Sequence, residues 1–141
     1  MAEKEKKTKK SKKDYIYAVG RRKRSIARVR LYPGKGEVLI NGVPIGEYFK
    51  DVPSVYFLKP FELTNTLGKY SATAKITGGG KTGQIQAFVH ALSRALVQAN
   101  KDKFKSSLKS AGLLTRDPRE KERRKPGLAQ SARARKQSPK R

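Results

Sequence analysis

A cluster of glycines between a predicted strand and a predicted helix constrains the fold of this chain most. Residues 70–77 alternate apolar and polar side chains, which is the pattern of a strand with one buried face. Residues 78–83 form the glycine cluster, and apolar residues recur at helical spacing after it. These apolar residues are Ile85, Phe88, Val89, Leu92 and Leu96. The sequence therefore predicts a strand, a glycine turn and a helix with a wide apolar face on which the other elements pack.

The glycine turn lacks the spacing of a nucleotide-binding phosphate loop. Such a loop needs a glycine five positions before its Gly-Lys-Thr, and in this chain that position is Lys75. We therefore expect a turn whose glycines let the backbone approach another group closely. Because a helix N-terminus attracts anions, an RNA phosphate beside Lys81 is a candidate for that group.

A strongly basic segment precedes this unit. Residues 15–32 predict a strand pair or one long strand, since apolar residues alternate with Arg28 and Arg30. Four consecutive cations interrupt the apolar pattern: Arg21, Arg22, Lys23 and Arg24. A run of charge is usually a solvated surface, but this run adjoins a strand whose outer face is also cationic. We therefore expect a phosphate-binding patch.

Shorter elements complete the predicted core. The Asn41-Gly42 pair predicts a tight turn after a short strand at residues 38–40. The next stretch predicts one or two short helices with aromatic residues in the core, because Pro53 and Pro60 prevent a long helix.

The end of the core carries two further signals. His90, the only histidine, is predicted at the surface or facing RNA, since it shares a helix face with Gln86 and Arg94. A last helix is expected to begin after Asn100 and to end at Gly112, a residue type that commonly terminates helices.

Charge and aromatic residues are distributed unevenly along the chain. The formal net charge is +24, from 35 Lys and Arg against 11 Asp and Glu, and all 11 Tyr and Phe lie between residues 15 and 104. The two ends are basic and without aromatic residues, so they cannot bury enough apolar surface to order themselves. We therefore expect a disordered Lys-rich arm over residues 1–13, a globular RNA-binding domain over 14–111 and a basic tail over 112–141.

Composition also excludes several classes of protein. A charge this large seeks a polyanion, and neither end has the apolar face of an interfacial membrane helix, so we expect no membrane partner. The absence of cysteine excludes disulfides and thiolate metal sites. The carboxylates are few and scattered, without paired acids, a metal cluster or a nucleophile triad. We therefore expect a soluble intracellular protein with no enzymatic activity, no cofactor and no metal.

The C-terminal tail contains one further helix signal. Asp117 is a predicted cap and Pro118 suits a first turn. The following residues 120–125 are charged on all sides, so a helix there would be marginal alone. The tail offers no aromatic ring on which bases stack, which favours neutralisation of phosphates in folded RNA over single-strand binding.

Several segments of the chain resemble the small-subunit ribosomal protein nine (S9) family, in its bacterial or organellar form. They are residues 17–23, 27–29, 40–42, 78–96, 112–117 and 122–128 and the terminal Lys140-Arg141. The resemblance spans residues 15–141. It implies an α+β fold, with a small mixed sheet and helices packed on one face as in the second domain of ribosomal protein S5, plus a basic extended C-terminal tail.

The resemblance also implies a role and partners. It implies a structural, non-enzymatic constituent of the small-subunit head in cytoplasmic ribosomes, with organellar ribosomes as the second choice. The implied partners are small-subunit rRNA, neighbouring head proteins and peptidyl-site tRNA, which the tail reaches at the decoding region through Lys140 and Arg141. The family usually ends in Gln, an aromatic residue and Ser-Lys-Arg, whereas this chain ends in Gln137-Ser138-Pro139-Lys140-Arg141.

The residues expected to contact RNA are all cationic. They are Arg21, Arg22, Lys23, Arg24, Arg28, Arg30, Lys81, Arg94, Arg116, Arg119, Arg123, Arg124, Lys125, Arg133, Arg135 and Lys136. The alternative function is the protein component of a tRNA-processing ribonucleoprotein, which has similar size, basicity and fold. Such a protein is expected to carry an Arg-rich helix, whereas the central helix here contains only Arg94.

Overall fold

The computed structural model describes residues 14–135. The Lys-rich arm and three predicted RNA contacts, Lys136, Lys140 and Arg141, therefore lie outside the described residues. The strands of the described part are β1 (Ile16–Arg22), β2 (Ser25–Pro33), β3 (Val38–Ile40), β4 (Val43–Pro44) and β5 (Tyr70–Thr77). The helices are α1 (Ile45–Tyr48), α2 (Ser54–Leu63), α3 (Lys81–Ala99) and α4 (Lys101–Ser110).

The five strands form one mixed sheet in the order β1-β2-β5-β3-β4. β3 runs parallel to β5, and the other neighbours are antiparallel. Helix α3 packs across β1, β2 and β5, and α2 and α4 pack on α3. This arrangement confirms the predicted α+β fold, with a small mixed sheet and helices on one face.

Alternation along the strands separates a buried face from an exposed one. On β2, Ala27, Val29 and Leu31 are fully buried, whereas Arg28 and Arg30 are exposed. The predicted strand pair is thus confirmed as the β1–β2 hairpin, with its apolar face toward the helices and its basic face toward solvent.

Helix α3 is the centre of the core, as its apolar pattern predicts. Four of its five predicted apolar-face residues are buried, and Ala87, Ala91 and Ala95 are buried as well, because the sheet and the other helices cover it on two sides. A side chain at Gly20 of β1 would overlap the Ala87 carbonyl oxygen and the Ala91 amide nitrogen of α3. Glycine is therefore required where this strand crosses the helix.

The short connections also follow their sequence signals. Asn41 and Gly42 have φ values of 51° and 86°, which confirms the tight turn. The side-chain amide of Asn41 donates to the Ile76 carbonyl oxygen at 3.1 Å and accepts from the Ile76 backbone amide at 3.0 Å. These two bonds fix the turn against β5. Two short helices follow, as expected, with Pro53 directly before the second.

Helix α2 corrects two details of the sequence analysis. It continues through Pro60, whose ring is buried in the core, so packing offsets the hydrogen bond that proline cannot make. Not all of the predicted core residues here are buried: Phe49, Phe57 and Phe61 are, but Val55 and Tyr56 are about 60% exposed (60% and 63%).

The core ends at α4. Asn100 caps this helix by accepting a hydrogen bond from the Lys103 amide. At its end, Gly112 has a φ of 71°, and the Leu113 amide donates to the Leu108 carbonyl oxygen at 3.1 Å, which together form a Schellman motif. The predicted stop at Gly112 is therefore confirmed.

The helix predicted after Asp117 does not form. Residues 116–125 have no regular secondary structure. The Asp117 carboxylate accepts from the Arg119 amide, two residues on, at 3.0 Å. This local bond closes a turn in place of a helix cap, and the charged segment after it offers no apolar face to stabilise a helix.

Candidate nucleic-acid interface

The sheet face opposite the helices, here called the open face, presents regularly spaced cations. Arg28 on β2 pairs with Lys75 on β5, and Arg30 pairs with Tyr17 on β1. All four side chains are exposed and line a groove of about 960 Å³. No carboxylate is among the described residues that line it. Strand geometry therefore fixes three cations on a surface that suits a polyanion.

A second groove, of about 1040 Å³, lies between the β1–β2 turn, the N-terminus of α3 and the tail. Its cationic residues are Lys23, Arg24, Lys81, Lys121, Arg123 and Arg124. Glu120 and Glu122 also line it, and the hydrogen bond and charge of Arg133 lower the pKa of Glu122. Cations from three elements meet here at the positive end of the α3 dipole.

Lys81 does not stand alone at this helix end. Its ammonium group is paired with the Asp51 carboxylate, and the hydrogen bond and charge of Lys81 lower the pKa of Asp51. Both side chains are more than half exposed, so the pair is screened by water and can open to a competing anion.

The glycine turn before α3 approaches the chain's own hairpin. Gly78 and Gly79 have φ values of 75° and 64°, and a side chain at Gly79 would overlap the Ser25 hydroxyl. The buried Ser25 hydroxyl donates to the Gly78 carbonyl oxygen at 3.1 Å. The close approach at these two glycines is therefore to the chain's own hairpin, and a phosphate beside Lys81 stays a prediction.

A third site is a small pocket of about 230 Å³ at the edge of α3. It is lined by three arginines, Arg21, Arg94 and Arg116, together with His90 and Val19. Arg94 donates a hydrogen bond to the Val19 carbonyl oxygen, which joins α3 to β1. Three arginines that are far apart in the sequence thus line one cavity, whose volume is large enough for a phosphate group.

His90 departs from its expected place at the surface because the C-terminal segment covers it. Its Nε2–H group donates to the Leu114 carbonyl oxygen at 3.2 Å, and its Nδ1 atom is buried without a hydrogen-bond partner among residues 14–135. Burial lowers the pKa of His90. The charges of Arg94 and Arg116 also lower it, whereas the hydrogen bond to Leu114 raises it. His90 is therefore neutral at pH 7.

Arg22 differs from the other members of the four-cation run. Its side chain is only 8% exposed, because the alternation of β1 directs it toward α3. It donates to the side-chain oxygen of Gln86 and to the carbonyl oxygen of Arg119, both at 2.6 Å, and lies 3.2 Å from the Asp117 carboxylate. Its three terminal groups are occupied within the chain, so we remove Arg22 from the expected RNA contacts.

The Asp117 carboxylate pairs with both the buried Arg22 and the exposed Arg119. It accepts hydrogen bonds from the side chain and amide of Arg119, and these bonds, with the charges of Arg119 and Arg22, hold the pKa of the Asp117 carboxyl well below its usual range. Asp117 is therefore ionised throughout the physiological range of pH.

The tail consists of two parts with different contacts. The inner tail, residues 112–119, packs Leu113 and Leu114 against the core and is held by Arg22 and His90. The outer tail, residues 120–135, carries six Lys or Arg and two Glu and is mostly exposed. Within it, Arg133 pairs with Glu122 at 2.6 Å.

The structure brings most of the predicted cations together in these three places. The open face holds Arg28 and Arg30, the second groove holds Lys23, Arg24, Lys81, Arg123 and Arg124, and the arginine pocket holds Arg21, Arg94 and Arg116. Arg119 is tied to Asp117, Lys125 donates to the Ala132 carbonyl oxygen, and Arg133 and Arg135 are exposed outer-tail residues.

Sequence reasoning missed three residues that line these surfaces. Lys121 lines the second groove, and Lys75 and Tyr17 line the open face. A signal was available for two of them, because Lys75 occupies a polar position of the β5 alternation and Tyr17 shares the register of Arg21.

Two further findings concern the described residues. Among residues 14–135, no helix combines the length and apolar character needed to span a membrane. The same residues contain no group of three or more His, Cys, Asp or Glu placed to hold a metal ion.

Comparison with known families gives one match. The model of the family described as ribosomal protein S9/S16 matches residues 20–141, which is most of the chain. The matched region includes α3, the three arginines of the arginine pocket, the second groove and the whole tail. The chain therefore belongs to the ribosomal protein S9/S16 family and is a component of the ribosome.

Proposed function

We propose that this chain is a structural constituent of the small ribosomal subunit, that its core binds small-subunit rRNA in the head, and that its tail contacts peptidyl-site tRNA. The observation that carries the rRNA proposal is the arrangement of exposed cations on three surfaces, of which the open face takes its cations from strands alone. Cations held by strands and helices, such as Arg28, Lys75 and Arg94, lose little freedom on binding, so phosphates meet a preorganised surface there.

The distribution of charge around the core supports an oriented interface. Residues 45–69 carry three acids and three Lys, so this segment is neutral in a chain of net charge +24. It also contains four of the five exposed large apolar side chains of the described part: Val55, Tyr56, Leu63 and Leu67. We assign this side to a neighbouring protein of the subunit, and the opposite, cationic surfaces to RNA.

The assignment of the neutral side is tested by substituting Leu63 and Leu67 together with Ser in reconstituted subunits. We expect weaker chemical cross-linking to neighbouring proteins and unchanged affinity of the isolated protein for rRNA. Loss of rRNA affinity in this variant would show that RNA occupies the side assigned to protein.

The rRNA proposal is tested by the salt dependence of binding to small-subunit rRNA. Each phosphate contact adds about 0.7 to 0.9 to the slope of log K against log salt. A variant with Arg28, Arg30 and Lys75 replaced by Gln should therefore lower the slope by about 2 to 3. The matched control replaces the exposed Lys50, Lys59 and Lys69 by Gln. It changes the net charge by the same amount, but in the neutral segment 45–69 instead of on the open face.

Equal slopes for the two triple variants would show that binding follows net charge alone. A second measurement follows the chain in a sucrose gradient of lysate after a high-salt wash. Retention with the small subunit supports the proposal, and migration with a small RNA would favour a tRNA-processing ribonucleoprotein.

The tRNA contact is tested by deleting residues 136–141. We expect subunits that assemble normally but bind peptidyl-site tRNA more weakly, because Lys140 and Arg141 are removed. Deletion of residues 2–13 is the control, since it removes seven Lys from the opposite end. Unchanged tRNA affinity in the C-terminal deletion would contradict the proposed contact.

A further inference from the structure

We infer that the open face of the sheet binds an unpaired RNA base, which stacks on the ring of Tyr17. The inference rests on the proposed RNA-binding function and specifies what one of its surfaces recognises. It assigns to Tyr17 a contact with a base, whereas the neighbouring cations contact phosphates.

The position of Tyr17 supports this role. It is 45% exposed and is the only exposed large apolar side chain that the described residues place on the sheet. It lies directly opposite Arg30 and diagonally from Arg28 across the β1–β2 pair. Opposite residues in an antiparallel pair are about 5 Å apart and diagonal ones about 7–8 Å. A nucleotide over the ring is therefore within reach of both guanidinium groups.

Two other aromatic residues at this end of the sheet are already engaged with each other. The rings of Tyr15 and Tyr32 are 5.7 Å apart, and the Arg30 guanidinium lies 5.3 Å from the centre of the Tyr15 ring. Both tyrosines are only partly exposed. Among residues 14–135, Tyr17 makes no aromatic pair and has no cation over its ring, so its face is available to a base.

The chemistry of the groove favours a nucleotide over a purely electrostatic contact. Thr73 lies beside Arg30, and Lys75 beside Arg28, so the groove combines one free ring with hydroxyl and cationic groups. Every base has an aromatic face, and stacking on exposed rings of a sheet is a general way of holding unpaired bases. A paired helix presents phosphates to the cations but no base to Tyr17.

The first experiment measures binding of the full-length protein to two RNA probes, an unpaired 12-nucleotide uridine-rich strand and a blunt-ended duplex with the same number of phosphates and no unpaired nucleotide. Tyr17→Ala should weaken binding to the single strand by about 5- to 150-fold, the range expected for loss of one stacked base. Tyr17→Phe should restore binding, because the ring rather than the hydroxyl makes the contact.

Three comparisons separate stacking from other effects. Tyr56→Ala is the matched control, since Tyr56 is the other exposed tyrosine and lies on α2. Tyr17→Ala should leave the salt slope and the duplex affinity unchanged, whereas Arg30→Gln should lower the slope by about 0.7 to 0.9. Equal loss in the two Ala variants, failure of Phe to restore binding, or equal loss on the duplex would overturn the inference.

A second measurement uses the assembled subunit. Ultraviolet irradiation followed by mass spectrometry should find a nucleotide attached to the peptide that contains Tyr17, and Tyr17→Phe should keep the attachment. Absence of this adduct from subunits that contain the protein would contradict stacking there. Failure of the wild-type protein to bind rRNA at all would instead contradict the proposed function, so the two failures are distinguishable.

Discussion

The inner and outer parts of the tail both carry more basic than acidic residues, but their relations to the core differ. In the inner tail, Leu113 and Leu114 pack against the core, and the Arg119 carbonyl oxygen accepts a hydrogen bond from the buried Arg22 side chain. The outer tail makes its described side-chain contacts mainly within itself, through exposed pairs such as Glu122 with Arg133. Charge alone therefore does not determine which part is held.

The difference shows what orders a basic segment. An exposed ion pair contributes little, because water screens it and two long side chains lose freedom. A buried guanidinium that satisfies several acceptors contributes more, since removal of one partner leaves polar groups without hydrogen bonds. The inner tail should thus remain attached in the isolated protein, while the outer tail should be cleaved readily by trypsin.

Removal of Arg22 should have the largest effect on the attachment of the inner tail to the core. Arg22→Ala deletes the bonds to Gln86 and Arg119 and the ion pair with Asp117, and we expect a loss of about 2–4 kcal/mol in the free energy of unfolding. Trypsin should then cleave after Arg116 as quickly as in the outer tail. Urea unfolding and mass spectrometry of the digest measure the two effects.

The control for this substitution is Arg21→Ala, one residue earlier on the exposed face of β1. We expect a change within about 0.5 kcal/mol, as for most surface substitutions. Similar losses in the two variants would show that the inner tail is held by charge in general rather than by the buried contacts of Arg22.

Acid should loosen the inner tail through His90. The pKa of His90 is lowered in the folded protein, so the unfolded chain binds the proton more tightly. The stabilisation is complete above the ordinary histidine pKa of 6.5 and declines as the pH falls below it. The charges of Arg94 and Arg116 lower the pKa of His90 in the same direction as burial does.

Trypsin is inactive in acid, so hydrogen exchange at Leu113 and Leu114 between pH 7 and pH 5 is the suitable measurement. After correction for the intrinsic exchange rate, protection should fall in the wild type and remain constant in His90→Gln. The same decline in both proteins would assign the effect to another group.

The sequence predicted those features that depend on neighbouring residues. Three of these features are local patterns that the structure confirms: the alternation of β2, the tight turn at Asn41-Gly42 and the apolar face of α3. The exposed cations of β2 also follow from alternation alone.

The remaining features depend on residues that are distant in the sequence. Arg22 is 64 residues from Gln86 and 97 from Arg119, so no window of sequence shows that this cation is buried. His90 is likewise covered by a backbone carbonyl 24 residues later. The absent tail helix instead has a local cause, because the Asp117 carboxylate accepts from the Arg119 amide two residues on and the charged residues 120–125 offer no apolar face.

Neutralisation of Asp117 should have a smaller effect than loss of Arg22. Asp117→Asn keeps an oxygen that accepts from the Arg119 amide but removes the charge that pairs with Arg22 and Arg119. Arg22 retains its bonds to Gln86 and to the Arg119 carbonyl, so trypsin cleavage after Arg116 should rise only slightly. An effect as large as that of Arg22→Ala would mean that the ion pair, rather than the two hydrogen bonds, holds the inner tail.

Loss of the outer ion pair should have the smallest effect. Glu122→Gln removes the charge opposite Arg133, but both side chains are about half exposed or more, at 49% and 69%, so water already competes for the pair. We expect no measurable change in urea unfolding, and in the digest the outer tail should be cleaved after Lys121 and Arg123 as quickly as before. The pKa of Glu122 is lowered by Arg133, so the wild-type pair persists at neutral pH and the comparison is valid there. A clear loss of stability in Glu122→Gln would show that the outer tail is coupled to the core, and the distinction between the two parts would then fail.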